Sequence, residues 1–220
     1  MKPTDTSAII SRLREAEETI RKGEDTKMNT AQGLSKAEYL EGQLLIAMPS
    51  MGDPRFERTV IYLCAHSPEG AMGLVVNKLV DHITFPGLLE QLNIDCSRHD
   101  ERIQVHFGGP VEESRGFVLH SADYHQENSM PVNEDYALTA SVEVLKAMAS
   151  GVGPEKSMLA LGYAGWAAGQ LDDEIQANGW LHVQSNDELV FGRDQENKWQ
   201  RAVATLGIDI ARLSTTAGRA

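Results

Sequence analysis

Residues 102–121, RIQVHFGGPVEESRGFVLHS, constrain the fold of this chain more than any other segment, because two strand patterns meet there at glycine and proline. Apolar and polar side chains alternate over residues 103–107, as in a strand with one apolar face. Residues 117–119 are apolar on both faces, which is typical of a strand covered on both sides. Gly108 and Gly109 free the backbone next to a proline with a fixed φ, so the segment predicts a corner between two strands.

Further strands are predicted on both sides of this corner. Residues 44–48 form a short apolar run that ends at a proline. Residues 59–66 and 71–78 are apolar on both faces, and the Ser-Pro-Glu-Gly sequence at 67–70 suits a type I turn. We expect these two runs to form an antiparallel hairpin at the centre of a sheet. Residues 157–163 predict another strand that is buried on both faces.

Helices and shorter strands complete the pattern. The predicted helices cover residues 85–92, 141–149, the segment after Trp166 through about 177, and 194–206; the predicted short strands cover 180–183 and 188–191; polar loops cover 93–101 and 122–135. Helices and strands alternate only in the second half of the chain. The sequence therefore favours an α+β fold with a mixed sheet over a doubly wound parallel sheet.

The N-terminal residues are predicted to be an appendage to this fold. Apolar side chains recur at helical spacing over residues 7–22, and a polar, glycine-containing linker follows over residues 23–38. The polar face of the helix carries both charge signs, unlike the strongly basic face of a membrane-surface helix. We expect a solvated helix and linker over residues 1–38 and one domain over residues 39–220.

The distribution of charge bears on the partners of this chain. The formal net charge is −12; residues 1–38 carry seven basic and seven acidic side chains, and residues 39–220 carry 13 and 25. Nucleic-acid binding normally depends on a Lys/Arg surface that displaces counterions from phosphates. An acidic body repels a polyanion at long range, so direct DNA binding is disfavoured.

Cellular location and redox state follow from what the chain contains. No run approaches the roughly 20 apolar residues of a spanning helix, and the N-terminus lacks the apolar core of a signal peptide. We therefore expect a cytoplasmic protein with no membrane partner. In that compartment the two cysteines, Cys64 and Cys96, are expected to be reduced thiols, although one disulfide between them is the alternative.

Five blocks of sequence, taken together, resemble the YqgE/AlgH family of bacterial proteins. The blocks are LIAMPSMGDPRFERTVIYLCAHS, GAMGLVVNK, FGGPVEESRGFVLHS, GPEKSMLALGYAGWAAGQLDDEI and NGWL, in family order within about residues 40–220. The resemblance implies a strongly bent, partly barrel-like sheet surrounded by helices, in a cytosolic protein. It also brings the family label of a transcriptional regulator. It implies no reaction, no catalytic residues and no cofactor, and it does not cover residues 1–38.

Two motifs suggest chemistry but have simpler structural explanations. Cys64 and His66 lie two apart on a predicted strand, so their side chains could share a metal ion. Zinc usually needs four ligands, and the sequence has no second Cys/His pair of suitable spacing. A buried cysteine beside a hydrogen-bonded histidine is therefore the favoured explanation. The glycines at 162, 165 and 169 match no phosphate-binding motif. Acidic residues near the start of the following helix would also repel a phosphate, so close packing of strand and helix explains these glycines better.

The best candidate binding site is a set of polar residues and glycines at strand ends. The set comprises Asp53, Arg58, Asn77, Lys78, Gly108, Gly109, Arg115 and His120. Strand-end loops commonly carry ligand-binding groups, and arginine with free backbone amides suits a carboxylate or phosphate. The alternative is structural: Asp53 caps its own turn, while Arg58 and Arg115 pair with acidic neighbours at 57, 112 or 113.

Three hypotheses of function follow from these observations. The first is a non-enzymatic binding or regulatory protein that engages a small anionic ligand or a protein partner near the strand-end loops. The second is a hydrolase acting on a phosphate- or carboxylate-bearing substrate, with a possible divalent metal, although no metal-binding spacing such as DxD or HExxH occurs. The third is direct DNA binding, which the charge disfavours. The sequence indicates neither a cofactor nor an oligomeric state.

Overall fold

The structure, a computed structural model, describes residues 39–95 and 103–207. Within these residues the strands join into one sheet in the order β6-β7-β5-β8-β3-β2-β1-β9, and β4 pairs separately with β8. The strands are β1 Gln43–Ala47, β2 Val60–Ser67, β3 Gly70–Val75, β4 Val105–Phe107, β5 Val111–Ser121, β6 Ser129–Pro131, β7 Tyr136–Thr139, β8 Ser157–Ala167 and β9 Trp180–Gln184. All named pairs are antiparallel except the parallel pair β4–β8. The sheet curls strongly into a half-barrel, which confirms the predicted mixed, bent sheet of an α+β fold.

Helices surround this sheet. They are α1 Phe85–Gln91, α2 Val142–Ser150, α3 Gln170–Gln176, α4 Asp187–Phe191 and α5 Gln195–Thr205, with one 3-10 turn at Pro54–Phe56. Four of these helices confirm predicted ones, with ends that differ by a few residues. The predicted N-terminal helix and linker, residues 1–38, lie outside the described residues.

The β2–β3 hairpin occupies the centre of the sheet, as the two apolar runs predict. Ile61 pairs with Val75 and Ser67 with Gly70, so the turn lies at the predicted place. The register shifts between Leu63 and Ala65, which makes Cys64 the extra residue of a bulge. β2 is buried from its first residue to its seventh, which explains its apolar character on both faces.

The Gly-Gly-Pro corner is the place where the chain crosses over β8. Leu159 of β8 pairs with β4 on one side and with β5 on the other, so residues 108–110 must pass across that strand. A Cβ on Gly108 would collide with the carbonyl oxygen of Gly162, and a Cβ on Gly109 would collide with the backbone of Tyr163. The glycines at this corner therefore permit close approach of two backbones.

Three predictions about the elements are wrong. Residues 188–191 form helix α4, not a strand, because Asn186 caps the helix by accepting a hydrogen bond from the Leu189 amide at 2.9 Å. The predicted loop at 122–135 contains β6, and β7 follows it directly. β8 continues past residue 163 to Ala167, so the join to the next helix is shorter than expected.

Apolar side chains fill both faces of the curled sheet. One cluster contains Leu45, Ile61, Leu63, Trp166, Leu171 and Trp180; the other contains Phe85, Leu89, Val105, Val118, Val144 and Leu159. Helix α3 contributes to the first cluster, and α1 and α2 contribute to the second. Helix α5 is fastened to the sheet by the Trp199 indole, which donates a hydrogen bond to the Ala47 carbonyl at 2.9 Å.

Candidate functional site

Four of the residues predicted to bind a ligand lie together at one corner of the sheet. Asp53 caps the 3-10 turn by accepting a hydrogen bond from the Arg55 amide at 2.9 Å, and it pairs with the Arg55 guanidinium at 2.6 Å. These hydrogen bonds lower the pKa of Asp53 below its ordinary value. Lys78 donates to the Arg55 carbonyl at 2.7 Å, and burial lowers the pKa of its ammonium. The capping role of Asp53, the structural alternative, is thus confirmed.

Asn77 joins the two strands at this corner. Its Oδ1 accepts a hydrogen bond from the Val60 amide at 2.8 Å, and its Nδ2 donates to the Arg58 carbonyl at 2.9 Å. Arg58 adopts a positive φ of 49°, which few residues other than glycine tolerate without strain. Its exposed guanidinium lies 5.9 Å from the ring centre of Trp199. Asn77 therefore stabilises a strained backbone beside an exposed cation.

The other predicted residues are engaged within the fold. Arg115 pairs with Glu112 at 3.1 Å and lies over the Phe117 ring at 5.2 Å, as the structural alternative states. His120 is fully buried and its Nε2 lies 2.8 Å from Thr139 Oγ1, away from the 3-10 corner. Burial lowers the pKa of His120. The binding role of the eight residues stays a prediction.

A cleft of about 360 Å³ opens beside the predicted strand-end loops. It is lined by Leu79, Val80, Asp81, His82, Ile83, Phe107, Glu113 and Leu161, and we name it the strand-end cleft. Most of the described lining is apolar, and its charged members are the carboxylates of Asp81 and Glu113. Such a lining repels small anions and suits an apolar or basic group instead.

A second cleft, of about 260 Å³, lies where the starts of β4 and β8 meet the turn between α4 and α5. Its polar lining includes His106, Lys156, Ser157, Arg193 and Gln195, and its apolar wall includes Ile103, Met158, Val190 and Phe191; we name it the His106 cleft. No sequence pattern groups these residues, because they come from three separate parts of the chain. The alternating pattern of residues 103–107 marks His106 only as a polar residue of a strand.

The histidine of this cleft is buried and neutral. His106 is 6% exposed, its Nδ1 lies 3.2 Å from the Leu159 carbonyl, and its Nε2 lies 3.2 Å from Gln195 Nε2. The consistent arrangement has Nδ1–H donating to the carbonyl and Nε2 accepting from the amide. Burial lowers the pKa of His106 to about 4. At neutral pH the ring therefore adds no charge to the cleft.

Two cations border the cleft. Lys156 Nζ pairs with Asp187 Oδ2 at 2.7 Å, and Asp187 also accepts a hydrogen bond from the Tyr136 hydroxyl at 2.7 Å. The exposed Arg193 side chain makes no hydrogen bond or ion pair with any described residue. The acidic lining residue is Glu155. The described lining thus holds two basic side chains and one acidic side chain.

No arrangement for metal binding occurs within residues 39–95 and 103–207: no group of three or more His, Cys, Asp and Glu side chains could hold an ion. Cys64 is buried, with its sulfur 3.7 Å from the Tyr62 carbonyl, while His66 Nδ1 accepts a hydrogen bond from the Leu40 amide at 3.1 Å. Burial raises the pKa of the Cys64 thiol. The pair therefore has the structural contacts that the simpler explanation requires.

Comparison with known proteins decides the kinship of this chain. The sequence profile described as AlgH-like matches residues 44–211. This chain belongs to the AlgH-like family. A UPF0301 protein of Afipia carboxidovorans is 53% identical to it over 194 residues, covering 84% of this chain and 92% of the relative. A UPF0301 protein of Bradyrhizobium diazoefficiens is 51% identical over 208 residues, covering 91% and 97%.

Solved structures place the AlgH-like chain in the same fold. The solution structure of AlgH from Pseudomonas aeruginosa has a TM-score of 0.69 and 40% identity, covering 86% of this chain and 100% of that chain. A crystal structure of a Corynebacterium diphtheriae protein has a TM-score of 0.65 at 19% identity, which supports the fold alone. Among the helices that the structure describes, none is long and apolar enough to cross a membrane.

Proposed function

We propose that this AlgH-like protein is a non-enzymatic binding protein that takes a small carboxylate- or phosphate-bearing ligand in the His106 cleft. The observation that carries the proposal is Arg193, an exposed guanidinium at a recess, without a carboxylate partner among the described residues. Residues 39–220 hold 13 basic and 25 acidic side chains, so an arginine that forms no ion pair within residues 39–95 and 103–207 is notable there. Arginine presents a planar set of donors that matches carboxylate and phosphate oxygens.

The remaining lining supports a small amphiphilic ligand. Lys156 uses one of three N–H donors on Asp187, which leaves donors for a second anion. Ser157 and the Gln195 amide add polar groups, while Phe191 offers an apolar surface for the body of a ligand. A few polar groups around an apolar wall are typical of small-molecule sites, and about 260 Å³ restricts this site to a small ligand.

A regulatory role would then act through this ligand or through a protein partner. The acidic strand-end cleft suits a partner that brings apolar or basic groups, and it adjoins the loops that the sequence predicts to be a recognition surface. Direct DNA binding is disfavoured by the same charge balance that makes Arg193 unusual. We place this activity in the cytoplasm, as the sequence suggests.

A thermal-shift screen of small carboxylates, inorganic phosphate and phosphate monoesters tests the proposal. A ligand at about 100 times its Kd adds about 2.7 kcal/mol, which raises the Tm of a chain of this size by roughly 5–10 °C. Arg193→Ala should abolish the ligand-induced rise while leaving the Tm without ligand unchanged, because its side chain pairs with none of the residues that the structure describes. Arg115→Ala and Lys146→Ala are matched controls, since each removes one positive charge outside the cleft and should keep the rise.

The outcomes distinguish the His106 cleft from the strand-end residues that the sequence predicts. If Arg115→Ala loses the shift and Arg193→Ala keeps it, the anion binds at the strand-end loops predicted from the sequence, and the His106 cleft is refuted. If no anion in the screen shifts the Tm of the parent protein at millimolar concentration, the anion-binding proposal is wrong.

A further inference from the structure

A buried ammonium lies directly behind the wall of the His106 cleft. Lys198 of helix α5 is 1% exposed, and its Nζ donates to the Val76 carbonyl at 2.8 Å and to the Val190 carbonyl at 3.2 Å. Among the described residues no carboxylate lies within ion-pair distance of it. Carbonyl dipoles hold this charge, but they do not neutralise it.

The ammonium and the cleft share structural elements. Val190, which accepts a hydrogen bond from Lys198, is itself a lining residue of the cleft. His106 lies on the floor, and the positive charge of Lys198 contributes, after burial, to the lowered pKa of this ring. Val190 therefore lies between the buried ammonium and the cleft, and the field of the ammonium acts on the cleft across this residue.

A charge in this position acts more strongly on a ligand than an exposed charge does. Solvent and salt screen Lys156 and Arg193, which are exposed, but they screen a buried charge much less. At a separation of roughly 10 Å and an effective dielectric constant of about 20, one buried charge changes affinity roughly tenfold for each unit of ligand charge. A dianion therefore gains roughly tenfold more than a monoanion does.

We infer that Lys198 makes the His106 cleft selective for a phosphate monoester dianion over a carboxylate of the same shape. This inference rests on the proposed anion site and names its ligand class. Lys198 acts through the protein wall and does not contact the ligand. The contacts themselves come from Arg193, Lys156 and the polar lining.

The dependence on pH follows from the groups that face each other here. Lys198 faces His106 of β4, Glu188 of α4, Arg201 of α5 and Asp194, the N-cap residue of α5. Burial lowers the pKa of Lys198 to about 8; the nearby charges of Glu188 and Asp194 raise it by smaller amounts, and that of Arg201 lowers it further. A phosphate monoester loses its second proton near pH 6. The preference for phosphate should therefore rise from about pH 6, peak near pH 7 and fall as Lys198 loses its proton above pH 8.

The test compares phenyl phosphate with benzoate, two probes that share one aromatic ring and differ in charge. Isothermal calorimetry at pH 7 on the full chain measures the ratio of their Kd values. We expect the parent protein to prefer phenyl phosphate by at least tenfold, and Lys198→Met to reduce that ratio by roughly tenfold. Lys198→Arg retains the charge and should retain the preference. Lys146→Met, at an exposed lysine of α2, should leave the ratio unchanged.

Two results would refute the inference about Lys198 and leave the proposed anion site standing. One is an unchanged ratio in Lys198→Met while both probes still bind. The other, which needs no substitution and holds even where Lys198→Met fails to fold, is a parent ratio that stays constant between pH 7 and pH 9.5. If neither probe binds the parent protein at millimolar concentration, the proposed anion site itself is refuted for this ligand class.

Discussion

Glu174 of helix α3 is expected to stabilise the fold through two indole groups. Its Oε2 accepts a hydrogen bond from Trp166 Nε1 at 2.9 Å and another from Trp180 Nε1 at 2.8 Å, while its Oε1 accepts one from Gln170 at 2.8 Å. The two tryptophans are 7% and 3% exposed, so neither N–H finds bulk water as a substitute. Removal of the carboxylate leaves two buried donors without acceptors.

The size of the effect follows from these contacts. A buried donor without a partner costs about 1–3 kcal/mol, and water entering the space of the missing side chain recovers part of that cost. We therefore expect Glu174→Ala to lower the free energy of unfolding by about 2–4 kcal/mol, and the Tm by roughly 5–15 °C. Glu174→Gln keeps an acceptor oxygen but not its charge, so about 1–2 kcal/mol should be lost.

Urea unfolding followed by tryptophan fluorescence measures both variants against a matched control. Glu188→Ala removes the same side chain from an exposed ion pair with Arg201, in which the carboxylate side is 62% exposed, so it should cost less than about 1 kcal/mol. If Glu174→Ala costs no more than this control, the double indole hydrogen bond does not stabilise the protein as we reason.

Three further outcomes are expected. Gly109→Ala should destabilise the protein by more than about 3 kcal/mol in urea unfolding, because a Cβ at this φ of +151° would meet the backbone of Tyr163. The control Gly151→Ala, with open space around the glycine, should cost about 1 kcal/mol. Equal costs would contradict the crossing at β8. The pKa of His106 is about 4 in the folded protein and near 6.5 in the unfolded chain, so its contribution to stability is complete above pH 6.5 and falls by up to about 3 kcal/mol as the pH drops to 4. His106→Gln should reduce the change of the unfolding free energy with pH between pH 6.5 and pH 4. An unchanged slope would contradict burial of the neutral ring. Cys64 should resist alkylation in the native state, because it is buried and its thiol pKa is raised, and should react once urea unfolds the chain; peptide mass spectrometry detects the label, and rapid native labelling would contradict this burial.

Secondary structure could be predicted from the sequence where a helix or strand has a long, regular pattern of apolar residues. The central hairpin and helices α1, α2, α3 and α5 lie where the apolar runs and glycine stops place them. Residues 188–191 were misassigned because their apolar run, residues 189–191, is too short to show a period, and the cap at Asn186 decided the outcome. β6 and β7 were missed because they are only three and four residues long. β7 pairs with β5, which lies earlier in the chain, and β6 pairs with β7, so these strands depend on partners that their own short patterns do not show.

The candidate sites could be predicted less well than the fold. The sequence predicted Asp53, Arg58, Asn77 and Lys78 as binding residues. In the structure they lie together beside the 3-10 turn. Their local hydrogen bonds could not be read from spacing, because capping and ligand binding use the same residue types. The His106 cleft was invisible in the sequence, since its cations lie at Lys156 and Arg193 and no motif joins them.

The sequence by itself determined the family, the α+β class and the acidic charge of residues 39–220, because these depend on residue order and composition. It also marked the Gly108-Gly109 corner, since only glycine tolerates so close a backbone approach. Only the tertiary structure decided that this corner crosses β8, and that Lys198 lies buried behind a cleft bordered by Arg193, whose side chain has no ion pair with a described residue. Burial and charge environment arise from contacts between distant segments, and local sequence patterns do not contain that information.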